Sequence, residues 1–260
     1  MKSPSKALLK LATSSKNLQN RANGNQQYAS ADFGTWVEEI INNYEKHDVL
    51  DICCGTGNQL VIYTKKTLNS ITGLDISAQS IEVAQQRLAN YQGNLTLVTS
   101  AMEEYLDTLP HDSKDFISSF YGLYYTENIE KTCQQIYQVL QPQGHLLVCG
   151  PHGDNNNSLF NLLKKYYALP ELVTYSSSTF MLQTLAPILK ELTMKLDYQY
   201  FVNTISYPSV DAVMKYLQST TFFNEQFYQE IKHDLEQHFK ENKSFDVEKH
   251  VMALIASKTN

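Results

Sequence analysis

Between residues 48 and 149, short and nearly continuous apolar runs alternate with segments whose apolar positions recur every three or four residues. This is the texture of repeated βαβ units around a parallel sheet. The run at 48–53 predicts a first strand, 58–67 the helix that follows it, and 71–76 a second strand. Ser77 is placed as an N-cap, Ile81, Ala84 and Leu88 share one helical stripe, and Gly93 follows the last turn as a stop. Strands are expected at 95–99, 115–121 and 146–149, a helix at 129–140, and a turn at 141–144 around Pro142 and Gly144. Beyond Pro151 the texture changes to an Asn-rich turn, helices at 158–168 and 178–192, and an alternating strand at 196–205. Val210, Val213, Met214 and Leu217 then form a helical stripe, 222–240 reads as another helix, and 248–257 as a returning strand. No internal repeat and no Gly- or Pro-rich linker divides the chain. The expected organisation is a helical arm over 1–45, a doubly wound α/β core over 46–151, and remaining strands with helical lid insertions over 152–260, in one globular unit.

A length of 260 residues suits one large domain with attached elements. The excess of 27 acidic over 21 basic residues argues against a protein that grips nucleic acid mainly through phosphates, and a small-molecule partner becomes the better expectation. Cys53, Cys54, Cys133 and Cys149 are too irregularly spaced for a disulfide framework or a zinc site, so no metal and a reducing, cytoplasmic setting are expected. No apolar run is long enough to cross a bilayer. Before Asp32 the chain carries Lys2, Lys6, Lys10, Lys16 and Arg21 but no acid, which reads as a basic capping arm.

The candidate chemistry starts at residues 49–58, where a strand runs into a turn containing Gly55, Thr56 and Gly57 and then into a helix. Glycines there let a ligand approach the backbone, and a helix start offers unpaired N–H groups. Asp75 ends the next strand, from which a carboxylate can accept from both hydroxyls of a ribose. The dinucleotide pattern G-x-G-x-x-G fails because Leu60 stands at its third glycine, and no P-loop motif occurs. With these features in order, residues 48–151 resemble the class I S-adenosylmethionine-dependent methyltransferases, in particular their broad small-molecule group. Residues 49–57 look like that family's first motif, 73–77 like its acidic loop, 100–103 like its adenine-contacting segment, and 140–146 like its L-x-P-G-G-x-L, with Gln143 in place of the first glycine. Two further departures are Cys53, where the family usually has a glycine, and Ser100, where an acid is common.

The resemblance implies a doubly wound, Rossmann-like methyltransferase sheet with a helical N-terminal arm and helical insertions near the C-terminal strands, and S-adenosylmethionine as cofactor. It places Asp75 at the ribose hydroxyls, Gly55 and Gly57 at the methionine side, and Ala101 and Met102 at the adenine ring with Ser100 near its amino group, and it counts Asp51, Cys53, Thr56, Ile76 and Phe120 among the cofactor-binding residues. Arg21 could pair with the cofactor carboxylate, and the Tyr28 ring could face the sulfonium. Methyl transfer to a small molecule by in-line displacement, favouring oxygen, is the expected reaction, with Tyr121 and Tyr124 beside the transfer centre and His152 as base. Methylation of RNA and a noncatalytic cofactor-binding role are the alternatives. The acceptor and the oligomeric state are not encoded in any motif.

Overall fold

The computed structural model describes residues 11–259. Residues 1–10, the start of the expected basic arm, lie outside the described residues. The described part of the arm includes the helices α1 (Ser15–Gln27) and α2 (Phe33–Asn42). Asp32 caps α2 by accepting from the N–H groups of Gly34 and Thr35, while Val37, Ile40 and Ile41 form its buried face. Between these helices, Asn203 Oδ1 accepts from Ser30 N, Ser30 Oγ and Ala31 N and ties the connection to a distant strand.

Seven strands form one sheet in the order β3-β2-β1-β4-β5-β7-β6. They are β1 (Asp48–Ile52), β2 (Ser70–Asp75), β3 (Leu95–Thr99), β4 (Lys114–Phe120), β5 (Leu140–Pro151), β6 (Lys195–Tyr207) and β7 (Phe245–Ser257). The first five are mutually parallel, and β7 runs antiparallel between β5 and β6. The order reverses between β1 and β4, and in open α/β sheets that switch point places a crevice at the carboxyl ends of the strands. The sheet is the doubly wound, Rossmann-like one that the sequence pattern implied.

The crossover helices are α3 (Leu60–Tyr63), α4 (Ala78–Arg87), α5 (Met102–Leu106) and α6 (Ile129–Val139). One sheet face packs on α2, α3 and α4 through residues such as Ile41, Leu60, Tyr63 and Ile81. The other packs on α5 and α6 through Leu106, Cys133 and Ile136. A third cluster, around Leu163, Tyr207, Val213, Leu217 and Val247, joins the far ends of β6 and β7 to α7 (Asn157–Leu163), α10 (Val210–Gln218) and α11 (Tyr228–Glu241). Among the described residues, no helix is long and apolar enough to cross a membrane.

Several boundaries differ from the sequence pattern, among them these. The helix expected over 58–67 is the single turn α3, whose Tyr63 hydroxyl donates to Ser118 Oγ at 2.8 Å and fixes it on β4. The expected turn at 141–144 lies inside β5 as an irregularity, because Lys114 and Leu140 already pair before the register shifts. Gln143 there has φ 64°, the reason a glycine is the usual occupant. The helix expected over 178–192 divides into a π-helical segment (Phe180–Leu185) and α9 (Ala186–Glu191), and the unexpected α8 (Glu171–Ser178) precedes it. The helix expected from 222 begins only at Tyr228, after a 3₁₀ turn capped by Asn224.

Candidate functional site

The crevice at the switch point is built first by backbone conformation. Cys53, Gly55 and Gly57 all have positive φ, at 61°, 54° and 76°, so the chain leaves β1 through left-handed residues. A side chain in that conformation costs roughly 1–2 kcal/mol, and Cys53 bears it. The compensation lies across the site at Gly122, where an added Cβ would fall 2.3 Å from Cys53 Cβ and 2.8 Å from its Sγ. The missing hydrogen-only residue on one loop has, in effect, been moved to the other.

Two carboxylates flank this loop. Asp75, 7 % exposed, accepts from Gly55 N at 2.8 Å through one oxygen and from Ser77 N at 2.9 Å through the other. Burial raises its pKa, and those two N–H groups oppose the rise. Each carboxylate oxygen has two acceptor sites, so each retains one for a ligand. Asp51 is deeper, at 1 % exposed; Oδ1 accepts from Ser118 Oγ at 2.6 Å, and Oδ2 has no hydrogen-bond partner. Burial, reinforced by the charge of Asp75 and only partly offset by Ser118, pushes its pKa up to about 7. The Cys53 thiol is driven up by burial and then by the charges of Asp75, Asp51 and Glu103, so it stays protonated at neutral pH.

Around the loop stand Tyr121, Tyr124 and Tyr125. Tyr121 has φ 56°, donates its N–H to Cys149 O, and rests on the Phe33 ring at 6.1 Å; it is 39 % exposed. Tyr124 packs on Tyr125 at 4.8 Å and edge-on to Phe180 at 5.7 Å. Burial holds both phenols neutral, the Tyr125 pKa being pushed up to about 12, while the Arg21 charge opposes the rise in both. The Arg21 guanidinium donates to Ser219 O at 2.6 Å and Ala12 O at 3.2 Å.

The remaining sequence-derived residues are distributed unevenly. Ile76 projects, 56 % exposed, immediately after Asp75. Ser100 donates its N–H to Asp75 O, and Ala101 begins α5. Thr56, Met102 and Phe120 are buried. Tyr28 packs edge-on to Tyr207 at 5.6 Å, in the cluster formed with α10. His152 donates its N–H to His250 O and sets its ring 5.6 Å from Tyr200; burial and His250 lower its pKa, so it is neutral at pH 7. Among the described contacts, it makes none with the residues around Cys53. The sequence singled out neither Gly122 nor Phe33 nor Tyr125, and Glu103 entered only as the end of the segment 100–103. Of these, Tyr125 was within reach, because it adjoins Tyr124 in the segment after β4.

This crevice belongs to a recognisable class. Residues 49–144 match the family described as "Methyltransferase domain". A putative methyltransferase from Bacillus halodurans superposes with a TM-score of 0.63 at 13 % identity, covering 86 % of this chain and 98 % of that one. Residues 49–144 thus match a methyltransferase domain, and the sheet around them has the fold of a known methyltransferase structure. Among curated proteins it is similar to a demethylmenaquinone methyltransferase of Leptospira interrogans, 31 % identical over 115 residues, 43 % of this chain and 46 % of that protein. It is also similar to the ubiquinone/menaquinone biosynthesis C-methyltransferase UbiE of Geotalea daltonii, 24 % identical over 69 % of this chain and 72 % of that protein. The chain spans about half the length of the first curated relatives it matches.

Proposed function

We propose that this protein transfers a methyl group from S-adenosylmethionine to a small-molecule acceptor by direct in-line displacement, with oxygen the favoured nucleophile. The single observation that carries the reading is the pair of buried carboxylates: Asp75 with one acceptor site left on each oxygen, and Asp51 with Oδ2 unpartnered. An adenosyl amino acid fits that pair. Asp75 would accept from the ribose hydroxyls, and Asp51 would face the cofactor ammonium, whose charge favours the ionised form that burial opposes. Ile76, Ser100, Ala101 and Met102 border the adenine side in this reading. Thr56, Phe120 and the backbone of Cys53, Gly55 and Gly57 border the methionine, and Arg21 and Tyr28 its carboxylate and sulfonium.

When bound, the cofactor supplies an electrophilic methyl group on sulfur. The chain's own task is then positioning, which can remove about 7–11 kcal/mol of barrier. Tyr121 and Tyr124, neutral at working pH, hold the acceptor and exclude water. The neutral His152 imidazole is able to accept the acceptor's proton. The quinone-pathway names of the curated relatives support a small aromatic acceptor, and the net charge of −6 disfavours RNA.

Calorimetry with S-adenosylmethionine and its demethylated product, S-adenosylhomocysteine, tests the reading. Binding of both is expected, with at least about a tenfold loss in Asp75→Asn, since hydrogen bonds to a charged group contribute about 1.5–3 kcal/mol. Transfer of labelled methyl to extracted metabolites should follow. No heat with either compound overturns the cofactor assignment, and binding without transfer to any acceptor favours a noncatalytic role.

A further inference from the structure

A buried cation stands at the same edge of the sheet with no anion to meet it. Lys249 lies near the start of β7 and is 8 % exposed. Its ammonium donates to Asn156 Oδ1 and to the Tyr216 hydroxyl at 2.5 Å, and it sits 4.4 Å from the Tyr216 ring centroid. Both partners are themselves buried, and neither is a carboxylate. Among the described residues, no Asp or Glu forms an ion pair with it; the adjacent Glu248 turns to His250 instead. An ammonium has three donors, and these partners take two. Burying such a charge without an opposite charge is costly, so the site is incomplete as it stands.

Its surroundings lead to the crevice. Lys249 pairs across the sheet with Asn203, the residue that fastens the connection between α1 and α2. Two residues along β6 from Asn203, and so on the same face, is Phe201. The Phe201 ring lies 5.7 Å from Phe33, and Phe33 lies 6.1 Å from Tyr121. Tyr216 is also near enough to Tyr121 to oppose ionisation of the Tyr121 phenol. Aromatic side chains therefore lie between the candidate transfer centre and the buried cation.

We propose that Lys249, with Tyr216, forms an acceptor subsite that selects an aromatic molecule bearing an anionic oxygen, a phenolate or a carboxylate. The inference deepens the proposed methyl-transfer reading and rests on it. Lys249 supplies the missing charge complement and one free donor, and Phe33 and Tyr121 supply stacking surface for the ring.

The test uses the full chain with benzoate and its neutral isostere benzamide as probes, titrated by calorimetry with and without S-adenosylhomocysteine. Wild type should bind benzoate at least about tenfold more tightly than benzamide, or ~1.4 kcal/mol. Lys249→Met should abolish that preference, Lys249→Arg should keep it, and S-adenosylhomocysteine affinity should change less than about twofold in both. A benzoate preference that survives Lys249→Met overturns the proposal. Wild-type benzoate binding no tighter than benzamide, including retention of neither, overturns it without any variant and so decides the matter even if Lys249→Met fails to fold. Benzoate preference without S-adenosylhomocysteine binding would instead overturn the methyl-transfer reading and leave the anion site standing.

Discussion

Asp51→Asn should make the ligand-free protein more stable at pH 8 while weakening its hold on the cofactor. Burial lifts the Asp51 pKa from an ordinary 3.8 to about 7, which at 1.36 kcal/mol per pH unit corresponds to about 4 kcal/mol of native-state penalty once the group is ionised. The sign follows from proton uptake. A raised native pKa means that the folded state binds the proton more tightly, so stability is fully present below the unfolded value and is lost as pH climbs through about 7. Asparagine carries no charge and still accepts from Ser118, but its amide hydrogens inherit the place of an oxygen that has no partner, at a cost of about 1–3 kcal/mol. The variant should therefore gain roughly 1–3 kcal/mol at pH 8 and come near to equality at pH 5, a change of about 3 kcal/mol in the difference between the two proteins. Urea denaturation of both proteins from pH 5 to 8 measures this directly, with other titrating groups cancelling in the difference. A difference that stays flat across the range would refute the reasoning, because the carboxylate would then not be paying for its burial.

Gly122→Ala should cost about 2–3 kcal/mol of stability through the collision with Cys53, and Cys53→Gly in the same chain should restore most of it; a thermal-melt double-mutant cycle with coupling below about 0.5 kcal/mol would separate the two positions. Arg21→Met should weaken S-adenosylhomocysteine by about tenfold, whereas an unchanged dissociation constant assigns the guanidinium solely to joining α1 to the end of α10 through Ser219. If His152 is the base, His152→Asn should lower kcat by about 10²-fold or more, and wild-type kcat should fall as pH drops below the lowered imidazole value, where the ring gains its proton; an unaltered pH profile in the variant removes it from proton transfer.

The parallel half of the fold was legible because its signals are local. Each strand is a short apolar run, and Ser77 caps α4 with its own side chain. The π-helical segment was not, since Phe180, Met181, Leu185 and Leu189 are buried along one continuous stretch and the change of hydrogen bonding within it leaves their apolar character intact. The loop 53–57 and Asp75 were readable for the same local reason, as a turn and a strand end. What escaped is what depends on contacts far apart in sequence. Nothing around Gly122 signals that it makes room for a side chain 69 positions earlier.

That example bears on how the site is put together. Cys53 departs from the glycine the motif resemblance implies, and on the sequence alone it is a Cβ that the turn has to accept. In the fold it is one half of a pair, with Gly122 as the other, and the loop keeps its left-handed course. The same logic governs Lys249. Within its own strand it is one basic residue between Glu248 and His250, the ordinary pattern of a solvated face. Only the return of β7 beside β6, and the packing of α10 across both, turns it inward onto Tyr216 and encloses it. A crevice assembled at the carboxyl ends of β1, β2 and β4 is fixed by turns that a sequence displays. The region toward β6 and β7 is fixed by which long-range elements meet, and a charge buried there without an opposite charge is the clearest mark such a region leaves of what it binds.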